Sequence, residues 1–423
     1  MRDKILKNLI EKEIKRQQET LNLIASENIV SKEILKIVGS PLMHKYSEGY
    51  PEKRYYPGHQ YYDEIEKLAI KRAKEVFKLG KNWHVNVQPY SGSPANLEIY
   101  FALLGTPYVK NRKGVDILGM SLSSGGHLTH GHKANFSGLI YKTIQYGVDK
   151  KNHLMDYQEI ERLAKKYRPK IIVSGATAYP RKIDFKKFGQ IAKKVGAYHL
   201  ADISHIAGLI AAGYHQSPFP YADVVMTTTH KTLRGPRAAI IFCRKELAEK
   251  IDKAVFPGMQ GGPHNNTIAA IAEMFFEAKQ IEFKKYQKQV IKNARVLAET
   301  LKKLGFSLIT GGTDNHLLLI DLKNSPNLSR VQINGLEAEK ELEKAGIIAN
   351  RNSIPGDTSP FKPSGLRVGT PAVTSRKMKE KEMEGVAKLI YRVLVKKENP
   401  VAIKQEVKYL CSKFPIKNNF LLK

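Results

Sequence analysis

The chain has 423 residues, 42% of them hydrophobic, which suits a soluble globular protein of two or three domains with sizeable cores. Lys+Arg number 70 against 40 Asp+Glu, a net charge of +30, but the surplus is spread along the chain with no RNA- or DNA-binding motif, so a nucleic-acid partner is the lesser reading and a bias of the whole proteome the preferred one. Cys243 and Cys411 lack CxxC partners, which excludes a disulfide framework and a zinc site, and the charged start with no apolar run near about 18 residues predicts a cytoplasmic protein with no membrane segment and no metal.

Residues 4–21 read as an amphipathic helix with Ile5, Leu9 and Ile14 on one stripe. LNLIASENIVS follows, where Ser26 reads as a helix cap. Next, Tyr46, Tyr50, Tyr55, Tyr56, Tyr61 and Tyr62 interleave with Glu48, Lys53 and Arg54. That stretch is too polar for a core strand and too aromatic for an idle loop. Tyr and Arg are the residues of interfaces and binding sites. A helix is predicted over Asp63–Phe77 and a strand over Val85–Val87. In QPYSGSPAN, Ser93 is the expected cap and Pro94 the first helical residue, with the helix running to Gly105. A Ser/Gly turn feeding a helix start is a ready anion site.

Val115–Met120 is a predicted strand that ends in SLSSGGHLTHG, where Gly125-Gly126 lets backbone approach a ligand beside His127. The bland reading of His127 is a loop histidine bonded to its own backbone. Residues 170–205 spell a βαβ unit: strand Ile171–Val173 ending at Ser174, a helix capped by Asp184 and stopped by Gly196, and strand Ala197–Ala201 ending at Asp202. Strand Val224-Val225-Met226 then delivers Thr228, His230 and Lys231, and a second apolar run, Ala238–Cys243, follows the turn. Ser174, Asp202 and Lys231 thus each lie past the carboxyl end of a strand, the edge where open α/β sheets bind ligands. A lysine there is costly unless neutralised, paired or used. Only a neutral amine attacks a carbonyl, so a desolvated lysine suits an imine-forming enzyme. The C-terminal part offers a helical region over 265–305, strands Leu317–Leu322 and Ile347–Ala349, and Arg367 in SPFKPSGLRVGTPA. Arg367 reads as either an exposed-strand arginine or a carboxylate clamp.

An acid and a lysine at one sheet edge, a phosphate-ready helix start and an arginine fork together point to pyridoxal 5'-phosphate. The motifs LIASEN, KYSEGYPEKRYY, NVQPYSGSPAN, GGHLTHG, ADISHIAGLIAAG, TTTHKTLRGPR, PGMQGGP and SPFKPSGLRVGTPA closely resemble those of serine hydroxymethyltransferases, from about residue 19 to 375. The resemblance implies a fold-type I α/β enzyme: an N-terminal helical arm (1–50), a large cofactor-binding domain with a mostly parallel sheet (51–275) and a smaller C-terminal α/β domain (276–423). It implies that the hydroxymethyl carbon of L-serine passes reversibly to a reduced pterin, giving glycine. Tetrahydrofolate and, as in some archaeal relatives, tetrahydromethanopterin are both open.

The resemblance also assigns roles. Lys231 carries the cofactor, Asp202 pairs with its ring nitrogen and His127 stacks on the ring. Ser174 and His205 lie near the ring hydroxyl, and Gly92, Ser93 and His230 on the phosphate side. Thr228 and His230 join Lys231 among the expected catalytic residues. Tyr46 and Gly262 reach the phosphate from a second subunit of a homodimer. Arg367 binds the substrate carboxylate with Ser26 and Tyr56, and Glu48 handles protons; Tyr56 and Glu48 also come from the second subunit. Leu122, Gly126, His127, Leu128, Asn350, Ser359, Pro360 and Phe361 match pterin-contacting positions. Tyr90, where the family often has histidine, and GGPHNNTIAA depart from the pattern. The alternatives are a pterin-independent threonine/allothreonine-type aldolase, which would not need Glu48, and a basic RNA-binding protein on an enzyme fold.

Overall fold

The computed structural model describes residues 2–105, 114–329, 331–357 and 362–417. Seven strands build the main sheet: β1 Trp83–Asn86, β2 Ile117–Met120, β3 Thr143–Tyr146, β4 Ile171–Ser174, β5 Tyr198–Asp202, β6 Val224–Thr228 and β7 Ala239–Arg244. Their order is β1-β7-β6-β5-β4-β2-β3. The run from β6 to β3 is parallel, and β7 is antiparallel to both β6 and β1. β2, β4 and β6 are buried along their whole length, as a sheet covered by helices on both faces requires.

Parallel neighbours need crossovers, and helix Phe185–Val195 supplies the one between β4 and β5. Asp184 caps it by accepting from Lys187 N (3.1 Å), Gly196 at φ +70° ends it, and Phe185, Phe188, Ile191 and Ala192 face the sheet. The register then sets the site. Asp202 stands opposite Met226 across the β5–β6 pair, so Asp202 and the Thr228–Lys231 segment leave the sheet at one edge.

A second, antiparallel sheet holds β8 Ser307–Leu308, β9 Leu317–Asp321, β10 Asn350–Asn352 and β11 Gly365–Gly369, in the order β8-β9-β11-β10. Arg367 sits in the inner strand β11, opposite Leu319 and Asn350, and is only 9% exposed. The exposed-strand reading of Arg367 is therefore wrong. The predicted strand at Ile347–Ala349 is shorter and stays outside this sheet: Ile347–Ile348 pairs in parallel with Leu21–Asn22. The expected long helical region is two helices, Asn265–Ala278 and Ile281–Lys303, parted where Gln280 turns extended.

Two cores result. Phe77 centres one, its ring 5.2 Å from Phe219, 5.3 Å from Phe242 and 6.1 Å from Phe275. The other joins Leu21 and Leu23 to Leu297, Leu301, Leu318 and Leu366. Among the described residues no helix is long and apolar enough to cross a membrane.

The N-terminal helix Lys4–Glu19, capped by Asp3, buries none of its residues. It is tied down at its end instead. Arg376, 3% exposed, donates to the carbonyls of Gln17 (3.1 Å), Gln18 (2.8 Å) and Thr20 (3.0 Å), and to those of Cys411 (2.9 Å) and Phe414 (2.8 Å). These carbonyls stand at the ends of two helices, where backbone partners run out (that of Cys411 also accepts from Phe414 N, 3.1 Å), so one guanidinium ties both ends. Arg376→Leu removes five hydrogen bonds, those to Thr20 and Cys411 buried, and is expected to cost about 3 kcal/mol or more. Thermal unfolding, with protease nicking near residue 20 as a local readout, checks this; an unchanged midpoint and an uncut N-terminal helix would contradict it.

Candidate active site

A cavity of about 300 Å³ opens at the carboxyl edge of β5 and β6, and Lys231 and Asp202 both line it. Asp202 is 8% exposed and fully committed. Oδ1 accepts from Ser204 N (3.1 Å) and Oγ (2.6 Å), and Oδ2 from Asn96 Nδ2 (3.1 Å) and His130 Nε2 (3.1 Å). Burial pushes its pKa up, but the His130 bond, the His130 charge and Ser204 outweigh that and hold the carboxyl well below the usual carboxylate range. Lys231 is half-buried, and loss of water lowers its amine to about 8. Asp202 opposes that shift, whereas Arg367 and Arg237 reinforce it.

One wall is the start of helix Gly92–Leu104. Its cap is Ser91, two residues earlier than the expected Ser93, and no side chain caps it. The first N–H groups are therefore left for an anion, next to His230 and Arg237. Gly92 is required by contact: a Cβ there would lie 2.6 Å from Thr228 Cγ2. Thr228 Oγ1 and His230 Nδ1 are buried without a hydrogen-bond partner. Burial, with Lys231 and Arg237 nearby, lowers His230 to about 3, so its ring is neutral.

His127 lines the opposite side. Its Nδ1 lies 2.7 Å from Thr129 Oγ1 and accepts from Thr129 N (3.2 Å), so the loop-histidine reading and a place in the cavity both hold. Burial and then His130 lower it to about 4. Ser26 and His205 also line the cavity; Ser26 lies in a turn and caps no helix. Ser174 does not line it. Its hydroxyl is fully buried and lies 2.7 Å from His199 Nε2. His199 Nδ1 faces the Tyr221 carbonyl (3.1 Å) and so carries the proton, which makes Ser174 the donor. Thr177, three residues on, reaches the cavity instead.

Thr177 also connects to Arg367. Arg367 Nη1 donates to the Thr177 carbonyl (2.8 Å) and Nε to Asn350 Oδ1 (3.1 Å), while Thr177 Oγ1 donates to the Gly126 carbonyl (2.8 Å). This network joins the Leu122–Leu128 loop, Asn350 and Arg367 beside the cavity. Burial lowers Arg367 to about 10, which leaves it cationic at neutral pH. Ser359, Pro360 and Phe361 lie outside the described residues.

Tyr46, Glu48, Tyr56 and Gly262 are not on the cavity of their own chain. They form a second cluster, in which Tyr46 and Tyr56 meet edge to face at 5.6 Å. Gly261 and Gly262 pack so closely here that added Cβ atoms would lie 3.3 Å from Glu48 Oε1 and 3.3 Å from the Tyr46 ring. Arg54 holds this segment by bonds to Asp63 (2.9 Å), Glu66 (2.6 Å) and the carbonyls of Ser47 (3.0 Å) and Gly49 (2.7 Å). The two departures from the motif pattern compensate each other: Tyr90 stacks on His264 at 4.3 Å and its hydroxyl donates to the Gly262 carbonyl (2.7 Å). Tyr46, Tyr55 and Tyr56 are left 57%, 72% and 46% exposed.

The family model described as serine hydroxymethyltransferase matches residues 1–390. The chain belongs to the serine hydroxymethyltransferase family. Members are pyridoxal-phosphate-dependent hydroxymethyltransferases of fold type I that interconvert serine and glycine with one-carbon transfer, using a folate-type pterin. The α/β fold and the family therefore agree with the expectations from sequence.

The cavity also contains residues that sequence reasoning missed: Asn96 and His130 on Asp202, Thr177 beside Arg367, and Glu27 and Arg237 at the rim. The i+3 pair His127/His130 was the available signal for one of them. The residues present fit the cofactor, since an anionic carboxylate, a depressed lysine and orphaned buried polar atoms converge on one space. The lowered amine makes a prediction. Attack requires neutral lysine, so borohydride-trapped labelling of Lys231 by a dilute aldehyde should rise with pH through about 8 and level off near about 9, whereas ordinary lysines keep rising past about 10. Peptide mapping reads this, and a Lys231 profile that follows the bulk lysines would contradict it.

Proposed function

We propose that the cavity binds pyridoxal phosphate on Lys231 and transfers the hydroxymethyl carbon of L-serine to a reduced pterin, tetrahydrofolate or tetrahydromethanopterin, in the cytoplasm. The observation that carries the reading is the convergence of Lys231, the anionic Asp202 and the uncapped Ser91–Ser93 helix start on one 300 Å³ space. When bound, the cofactor supplies an electron sink that lets a bond to the amino-acid α-carbon break.

The chain's own groups do the rest. Asp202, anionic and fixed by four donors, would keep a proton on the cofactor's ring nitrogen. His127 would hold the ring, and His205 and Thr177 its hydroxyl; Thr177 takes the place first given to Ser174. The free N–H groups of Gly92 and Ser93, with Thr228 and His230, would hold the phosphate. Arg367 keeps Nη2 without a partner among the described residues, and with Ser26 it can grip the substrate carboxylate. Asn350 bonds Arg367, and Thr177 links Arg367 to Gly126 in the loop that also carries Leu122 and Leu128, which suits a pterin seated beside the amino acid. In this reading residues 1–50 act as an arm, 51–275 hold the cofactor and 276–423 bring Arg367 to it.

Tyr46, Tyr56, Glu48 and Gly262 serve the cavity of a second copy. The support is their separation from their own cavity and the exposed tyrosines that accompany them. A symmetric dimer would place two such clusters on two cavities at once. The test mixes inactive subunits. Lys231→Ala and Glu48→Gln refolded together should recover about a quarter of wild-type turnover, because half the dimers are hybrid and each hybrid has one intact site. Recovery with tetrahydrofolate or with tetrahydromethanopterin identifies the carrier. No recovery in verified hybrids would contradict shared sites, and full serine turnover by Glu48→Gln alone would favour the pterin-independent aldolase.

A further inference from the structure

His316 lies one residue before β9, on the four-stranded sheet, and its carbonyl accepts from Thr370 N (3.0 Å) close to the strand that bears Arg367. Its ring crosses to the cofactor side and stacks on His205, with centroids 5.4 Å apart and planes 29° apart. His205 Nδ1 and His316 Nε2 are 3.2 Å apart. The two residues are 4% and 0% exposed. Burial, aided by the nearby cations Lys231 and Arg367, holds both rings neutral: His205 falls well below the usual range and His316 to about 3.

Each neutral imidazole carries one N–H, so the two facing nitrogens can be arranged in two ways. If His205 donated, His316 would carry its own proton on Nδ1. That atom is buried and has no hydrogen-bond partner. An orphaned buried N–H is the rarer and costlier defect, and a bare ring nitrogen the cheaper one. The shared proton therefore belongs to His316, and Nε2–H donates to His205 Nδ1. His205 then carries its proton on Nε2, the nitrogen left to the cavity that His205 lines.

We infer that His316 is a positioning residue that locks His205 as an Nε2–H donor toward an anionic oxygen in the cavity, the ring oxygen of bound pyridoxal phosphate. The inference rests on the cofactor reading for the identity of that oxygen, but not for the tautomer. Nothing else holds His205's ring: among the described residues its only side-chain hydrogen bond is to His316.

The test uses full-length protein labelled with ¹⁵N-histidine, before and after pyridoxal phosphate is added. Long-range ¹H–¹⁵N spectra distinguish Nε2–H from Nδ1–H, and the signals lost in His205→Asn assign His205. Wild type should show Nε2–H on His205. His316→Leu fills the space without a donor and should leave His205 Nδ1 bare and unbonded, move its ¹⁵N signal to that of a free ring nitrogen, and weaken cofactor binding about tenfold or more, the worth of one hydrogen bond to a charged group. His316→Gln places an amide N–H near the same point and should restore both. Nδ1–H on His205 in wild type, or an unmoved His205 Nδ1 signal in His316→Leu, would overturn the inference. Should His316→Leu fail to fold, the wild-type spectrum decides alone. A wild type that shows Nε2–H yet binds no pyridoxal phosphate keeps the tautomer lock and removes the cofactor reading instead.

Discussion

The buried carboxylate of Asp202 is the constraint around which the site is built. An ionised carboxyl at 8% exposure is unfavourable unless its lone pairs are taken up, and here both oxygens are. The donors come from three places: Asn96 on the helix that begins at the cavity wall, His130 on the loop after β2, and Ser204 just past β5. Satisfying one acid thus pins together the helix start, the histidine loop and the sheet edge. Ser204 then extends the link, since its hydroxyl also accepts from Thr228 N (3.1 Å) on the way to Lys231. The lysine's position is downstream of that arrangement, whereas its depressed basicity comes from burial and the nearby Arg367 and Arg237, against the pull of Asp202.

The second sheet contributes through Arg367 rather than through bulk. Its guanidinium reaches across to the Thr177 carbonyl, and His316 reaches across to His205. These two polar contacts join Arg181, which bonds Thr310 and Asp314, and Asn315, which bonds the Tyr179 carbonyl, in setting how the small unit meets the large one. The tyrosine-rich segment is organised separately. Arg54 spends its donors on Asp63, Glu66 and two carbonyls, which orders a loop that has little apolar core of its own.

Much of this was legible in the sequence because it follows from local periodicity and strand ends. The βαβ unit from Ile171 to Asp202, its Asp184 cap and its Gly196 stop are visible as pattern alone. Lys231 and Asp202 could be placed at one edge because each ends an apolar run. What failed was orientation. Ser174 ends its strand too, but side chains alternate along a strand, and its hydroxyl points to His199 while Thr177 turns back to the cavity. Arg367 looked exposed because its strand is short, yet β9 and β10 flank it. Asn96 and His316 carry no spacing signal toward Asp202 and His205, since those contacts join distant parts of the chain, and the His127/His130 spacing marks His130 without naming its partner.

The clamp at Arg376 has a consequence for the order in which the molecule can be assembled during its synthesis. The carbonyls of Gln17, Gln18 and Thr20 are made first, but their donor emerges only with residue 376, and the Cys411 and Phe414 carbonyls that share it come later still. At about 5–20 residues per second, the N-terminal helix waits on the order of tens of seconds for its anchor. Throughout that interval no bond from the C-terminal helix holds the end of this one, and Ile5, Leu6 and Leu9, exposed even in the folded chain, add no packing to replace it.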